Sequence, residues 1–337
     1  MSLSSLFFYK FLNQITSKKV SFMGVLLFAF CTNNLSINSG GLWQHTSGLL
    51  LLNVGLYLFY VKDKIINKKS IWKSYITEPK FLSFLFFGLA TVARPTFLLP
   101  FVLFVLLYLC KYKNTRRSLS FLFIGLIPIL VENLINLRLF ESLKNTGYGS
   151  QTHRFTGNIL LNYFGIWFSP SKGILTISPI FIFIFYTFGE VFKDLFKNFK
   201  IIKLVNLYTI SFSTVLVHTL VISKWHDWYG GYSWGYRLSS DVLPFLVILL
   251  IPFLEKVKNY NFKNYNVIFK IFILLAFYSF AVQILGVLYY DGYWHGTFDN
   301  GPKDQGWLWN FNNNQVLFSV KRLLHKAKLI GDPFLNL

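Results

Sequence analysis

From Leu204 to Ser223 the chain runs without a formally charged side chain, and runs of this kind recur along its whole length. They extend over roughly 13–21 residues each, the range of full or partly inserted membrane helices. Short lysine-rich segments separate them. With 54% hydrophobic and 14% charged residues, the composition excludes an ordinary soluble globular protein. The expected fold is all-α: a polytopic transmembrane helix bundle of about eight to ten membrane helices, some short or re-entrant. The bundle is expected over residues 1–290, with external loops at 137–173 and 224–241, and an external C-terminal tail at 291–337.

A net charge of +20 suggests nucleic acid until the positions are read. Most of the 33 Lys and Arg fall in the inner loops of the topology below, where they orient the protein by the positive-inside rule. No nucleic-acid motif accompanies them, so no nucleic-acid partner is expected. Cys31 and Cys110 fall near opposite faces, which argues against a disulfide between them, and no metal-type cysteine spacing occurs.

Taken in order, the segment from Met1 to Gln14 resembles the inner end of a helix. Val20–Ser36 and Ser47–Val61 form helices around a polar turn, and the basic loop Lys62–Lys80 lies inside. Phe81 to Cys110 is too long for one ordinary span. Ala93-Arg-Pro-Thr96 interrupts it with a proline that breaks a helix and an arginine that resists the bilayer centre, so two short helices meet near Arg94. Ser118–Asn136 crosses outward, Ile174–Glu190 returns to the basic loop Lys193–Lys203, and Leu204–Ser223 goes out again. Val242–Leu254 returns to Lys256–Lys263, and Val267–Leu288 exits.

This topology places two unusual motifs on one external face. The first, Lys224 to Pro244, contains Lys-Trp-His-Asp-Trp-Tyr-Gly-Gly-Tyr-Ser-Trp-Gly-Tyr-Arg. Its rings alone suit an aromatic belt at the membrane interface. Its glycines and charges suit a binding surface, where the backbone must approach a ligand. The second, Ser169-Pro-Ser-Lys-Gly173, sets a lysine and free backbone N–H groups before a helix, an arrangement that suits an anion or simply starts a helix. Arg94, Arg138, Arg154, His45 and His153 share this face. Arg94 and Arg237 bind a ligand there or snorkel to headgroups. His226 next to Asp227 is a weak candidate for a divalent cation, the only cofactor the residues suggest, and otherwise a hydrogen-bonded surface pair. His218, within a helix, reads as a packed polar residue rather than a proton relay.

Leu42-Trp-Gln-His45, Ala93-Arg-Pro95, Ser169 to Pro179, and Trp228 to Pro244 come in an order that resembles the bacterial membrane glycosyltransferases of the C-type fold. These are the protein mannosyltransferase and aminoarabinose transferase relatives, and the resemblance covers about Val20 to Trp309. It implies a multi-pass protein of the bacterial inner membrane that transfers a sugar, with inversion, from a polyprenyl-phosphate donor to an envelope acceptor on the external face. It implies lipid-phosphate binding by Arg237, Lys172 and Arg94, and sugar contacts by Trp228, Tyr232 and Trp234. The family's base is an aspartate in a first external loop. Here the first 100 residues carry only Asp63 and Glu78 as acids, both expected inside. The chain is therefore expected to lack the first helix and acidic loop, as a fragment, or to use Asp227 or Asp241 as base. Two other classes stay open. One is a transporter or flippase of a lipid-linked or anionic solute, which favours mid-membrane ionisable groups and an internal repeat. The other is a non-catalytic envelope-assembly protein. The tail segment Lys321 to Lys328 suits an anionic lipid surface or a solvated helix.

Overall fold

A computed structural model describes residues 1–61, 78–112, 115–141, 152–189, 206–259, 267–301 and 304–328. The basic loops expected at 62–80 and 193–203 lie largely or wholly outside the described residues, as do 260–263 of the loop expected at 256–263, 142–151 of the external segment and the chain after 328.

Every regular element among the described residues is helical. The first three helices are α1 (Ser2–Ile15), α2 (Lys18–Phe30) and α3 (Gln44–Tyr60), with a π-helical turn at Asn34–Asn38 between the last two. Then come α4 (Pro79–Ala93), α5 (Leu98–Tyr112), α6 (Thr115–Phe140), α7 (Ile159–Phe168) and the single turn α8 (Ile174–Ile177). The remainder is α9 (Leu207–Lys224), α10 (Leu243–Val257), α11 (Val267–Tyr289), α12 (Tyr293–Phe298) and α13 (Gln315–Lys326). Four described stretches are long and apolar enough to cross a membrane: Leu119–Phe140, Leu207–Lys224, Arg237–Val257 and Val267–Tyr289.

The break near Arg94 is where proline chemistry requires it. Arg94 is extended (φ −153°, ψ 124°) because the ring of Pro95 excludes the helical region for the residue before it. A 3-10 turn at Pro95–Phe97 then starts α5. The two helices fold back on each other through their rings, Phe87 meeting Phe104 at 5.0 Å and Phe84 meeting Tyr108 at 6.0 Å between centroids. Against α6 the approach is backbone to backbone, and a methyl on Gly88 would fall 2.0 Å from the Gly125 carbonyl oxygen.

Two expectations need correction. Residues 137–173 are not a plain external segment: α6 runs on to Phe140, and α7 forms within it, capped by Asn158, whose side chain accepts from Leu161 N at 3.2 Å. At ten residues α7 is too short to have been read as a span. The single helix expected at Ile174–Glu190 is interrupted at Ser178-Pro179, where Ser178 Oγ donates to the Cys31 carbonyl at 2.8 Å. That uses the only proton of the hydroxyl, so Tyr236 is the donor in the 2.7 Å contact between the two side chains. The C-terminal segment packs on the rest of the chain: Leu308 O accepts from Ser169 Oγ at 2.8 Å and Trp307 meets Tyr229, while buried Phe318 packs on Tyr293 and Phe298 of the same segment.

α10 is the axis of the assembly, buried along almost its whole length. At one end Glu255 accepts from Thr16 and Ser17 and pairs with Lys258. At the other end lies Asp241, and there the remaining unusual residues gather. Cys31 and Cys110 are both free.

Candidate functional site

Asp241 sits in the 3-10 turn Arg237–Val242 that leads into α10, only 2% exposed. A buried carboxylate needs its lone pairs met, and here three elements meet them. His45, at the start of α3, places Nδ1 2.8 Å from Oδ1. Thr96 donates to Oδ2 at 2.7 Å, and Arg94 Nε forms an ion pair with the same oxygen at 2.8 Å. Arg94 Nη1 also lies 2.9 Å from His45 Nε2. As both nitrogens of Arg94 are donors, Nε2 accepts, and the proton of a neutral ring stands on Nδ1, facing Asp241. Arg94 is thus neutralised within a closed network.

Arg237 differs. Among the described residues no carboxylate pairs with it, whereas Arg94 has Asp241; the Nε of each is buried without a hydrogen bond of its own. Its guanidinium lies 5.7 Å from the centre of the Trp43 ring, a face that attracts a cation without cancelling its charge. Arg94 and Lys172 both lie within its coulombic range. Lys172 is 1% exposed and donates through Nζ to the carbonyls of Ser233 and, at 3.4 Å, Gly231. Burial first, and Arg237 second, push its ammonium well below the ordinary lysine range, while Asp299 opposes them. The structure brings the three sequence-selected cations near one end of α10 but gives them different surroundings: a carboxylate for Arg94, two carbonyls and the Trp294 indole for Lys172, and the Trp43 indole for Arg237.

The loop before Arg237 turns on two adjacent glycines, Gly230 (φ +84°) and Gly231 (φ +58°), conformations that disfavour a side chain. Of its three sequence-selected rings only Tyr232 is open, 62% exposed and stacked on His295 with centroids 4.9 Å apart. Trp228 packs on Gly165 and donates to Gln305 at 2.8 Å, and Trp234 fills the space above Gly286. Both indoles are core, so of the three rings only Tyr232 presents an open face. Gln315, from the C-terminal segment, accepts from Gly235 N at 2.9 Å and donates to Ser233 O at 3.0 Å. Sequence reading passed over Gln315, and quoted Thr96 and Trp43 only inside their motifs, with no role for either. A lone glutamine or threonine carries no local sign that it will be buried against a loop 80 residues away.

His226 and Asp227 lie on a cleft of about 890 Å³, bordered by 153–158, the first turn of α7 and the segment 305–309. His226 Nε2 stands 2.8 Å from Asp227 Oδ2. Among the described residues no group of three or more His, Cys, Asp or Glu side chains is placed to hold a metal ion. His218 does lie in a helix, α9, with Nε2 3.1 Å from the Leu238 carbonyl.

No family model, curated protein or solved structure matches this chain.

Proposed function

We propose that this chain is a multi-pass protein of the bacterial inner membrane, with its Asp241 end external, that acts in glycosyl transfer from a polyprenyl-phosphate donor to an envelope acceptor. The observation that supports this is the state of Arg237. Arg94 is paired with Asp241 and Lys172 is held by loop carbonyls beside the Trp294 ring, whereas Arg237 has neither a carboxylate nor a carbonyl partner among the described residues and faces only the Trp43 ring. In the transfer, an acceptor hydroxyl oxygen bonds to the anomeric carbon and the bond from that carbon to the phosphate oxygen breaks. The bonding pair leaves with the lipid phosphate, and the hydroxyl proton goes to a base. Phosphate is a good leaving group, so such a site needs positive charge where the oxyanion develops. Arg237 takes that role, with Tyr232 as the ring open to the donor sugar. Lys172 and Arg94 act behind it as positioning cations. As bases the two candidate aspartates are unequal, because both oxygens of Asp241 already accept while Asp227 is 33% exposed on the cleft.

The test is transfer of a radiolabelled sugar from polyprenyl phosphate in membranes carrying the complete protein. Arg237→Ala is expected to abolish transfer while expression and insertion persist. Retained transfer removes Arg237 from the proposal.

A further inference from the structure

The cleft beside α7 is walled by three segments far apart in sequence, and the hydrogen bonds between them make it a built site. Gly157 N donates to Lys224 O at 2.8 Å and His226 N to Arg154 O at 3.0 Å. Gln305 closes the rim, donating to His226 O at 3.0 Å while accepting from Trp228 Nε1 at 2.8 Å. Asn162 lines the interior at 2% exposure. Its Nδ2 is pinned to Ser223 O at 2.8 Å, which fixes the amide plane, and its Oδ1 accepts from no described side chain or backbone group.

The lining chemistry selects a ligand class. It offers a hydroxyl from Thr156, a guanidinium from Arg154, a fixed amide oxygen from Asn162, a carboxylate from Asp227, and one indole, the half-buried Trp309. Leu161 is the one aliphatic side chain among the lining residues, too little for a lipid tail or an apolar peptide. A bare phosphate only accepts hydrogen bonds: Arg154, His153 and His226 could serve it, but Asp227 and the Asn162 oxygen on the same lining would repel it. A sugar hydroxyl donates and accepts at once, which suits carboxylate, amide oxygen and guanidinium together. The C–H face of a sugar ring suits an indole. We infer that this cleft is a saccharide-binding site. Calling that saccharide the acceptor rests on the function proposed above; the binding itself does not.

The experiment is saturation-transfer NMR on the full chain in lipid nanodiscs without polyprenyl phosphate. The probes are methyl glycosides of glucose, mannose, galactose and N-acetylglucosamine, with methyl glucuronide and inorganic phosphate alongside. At least one glycoside is expected to receive saturation from the protein. Its binding should weaken about tenfold in Asp227→Asn, where a charged hydrogen-bond acceptor is lost, and to a similar degree in Trp309→Ala. Thr156→Val changes an exposed hydroxyl with no hydrogen-bond partner among the described residues, so it reports on the cleft with the fold intact. Unfolding temperatures are recorded for all three variants. The inference is overturned if no glycoside binds, if binding survives all three substitutions in folded protein, or if phosphate alone displaces the signal. Saccharide binding that persists in a protein unable to bind polyprenyl phosphate leaves the cleft standing and removes only its assignment as acceptor site.

Discussion

Arg94 Nε lies 2.8 Å from Asp241 Oδ2, and the pair joins the tip of the α4–α5 hairpin to the start of the central helix. The side chains are 14% and 2% exposed, so neither charge has water to fall back on. Removing one partner leaves the other buried and uncompensated, which costs about 3–5 kcal/mol. Asp241→Asn is therefore expected to destabilise the protein by that amount in detergent unfolding. Thr96→Val, which removes one hydrogen bond to the same carboxylate, should cost about 1.5–3 kcal/mol. An Asp241→Asn protein as stable as the wild type contradicts the network.

Lys172 gives a pH dependence with a definite sign. Its folded-state pKa is lowered, first by burial and then by Arg237, so the unfolded chain binds the proton more readily. Stability then rises with pH from the folded pKa up to the unfolded lysine value, about 10.4, and the penalty is constant below the folded pKa. Comparing thermal unfolding of wild type and Lys172→Met between neutral pH and pH ~10 isolates this group. The wild type should gain stability relative to the variant as pH rises; parallel curves contradict the burial of a charged Lys172.

Gln315 holds the loop that carries Arg237 by bonding Gly235 N and Ser233 O, and it is fully buried. Gln315→Ala leaves both backbone groups unpaired and should cost about 1–3 kcal/mol for each that water does not reach. Gln315→Glu keeps the acceptor for Gly235 N and loses the donor to Ser233 O, so it should fall between. Equal stability of all three proteins in denaturant titration would rule out the clamp.

Two glycine substitutions separate packing from propensity. Gly88→Ala drives a methyl against the Gly125 carbonyl and must part α4 from α6, whereas Gly296 in α12 has open space around it. Overpacking of this kind costs about 1–3 kcal/mol or more, while Gly296→Ala should be neutral or slightly stabilising. Circular dichroism melts of the two variants decide it.

These contrasts show where sequence reading succeeds. Arg94-Pro95 marked its helix break because proline dictates the backbone of the residue before it, a rule that needs no tertiary information. The end of the bundle that gathers Arg94, Lys172, Arg237 and His45 followed from counting apolar runs. What stayed hidden depends on partners. Trp228 and Trp234 looked like a ligand platform because sequence does not tell an indole aimed at Gly165 or Gly286 from one aimed at solvent. α7 was invisible for a different reason: ten mostly apolar residues fall below the length of a span, and Asn158 as a cap is a weak signal beside so many loop asparagines. Lys172 reads as an anion ligand on composition, and its hydrogen bond to the Ser233 carbonyl could not be read from the sequence.

The central claim is that Arg237 holds a lipid phosphate, and equilibrium binding of a polyprenyl phosphate to the full chain in nanodiscs measures it directly. The account predicts that Arg237→Ala binds about 10–100-fold more weakly, the loss of a charge-assisted contact, and that Arg237→Lys recovers part of the difference. Wild-type affinity in a folded Arg237→Ala protein would contradict it.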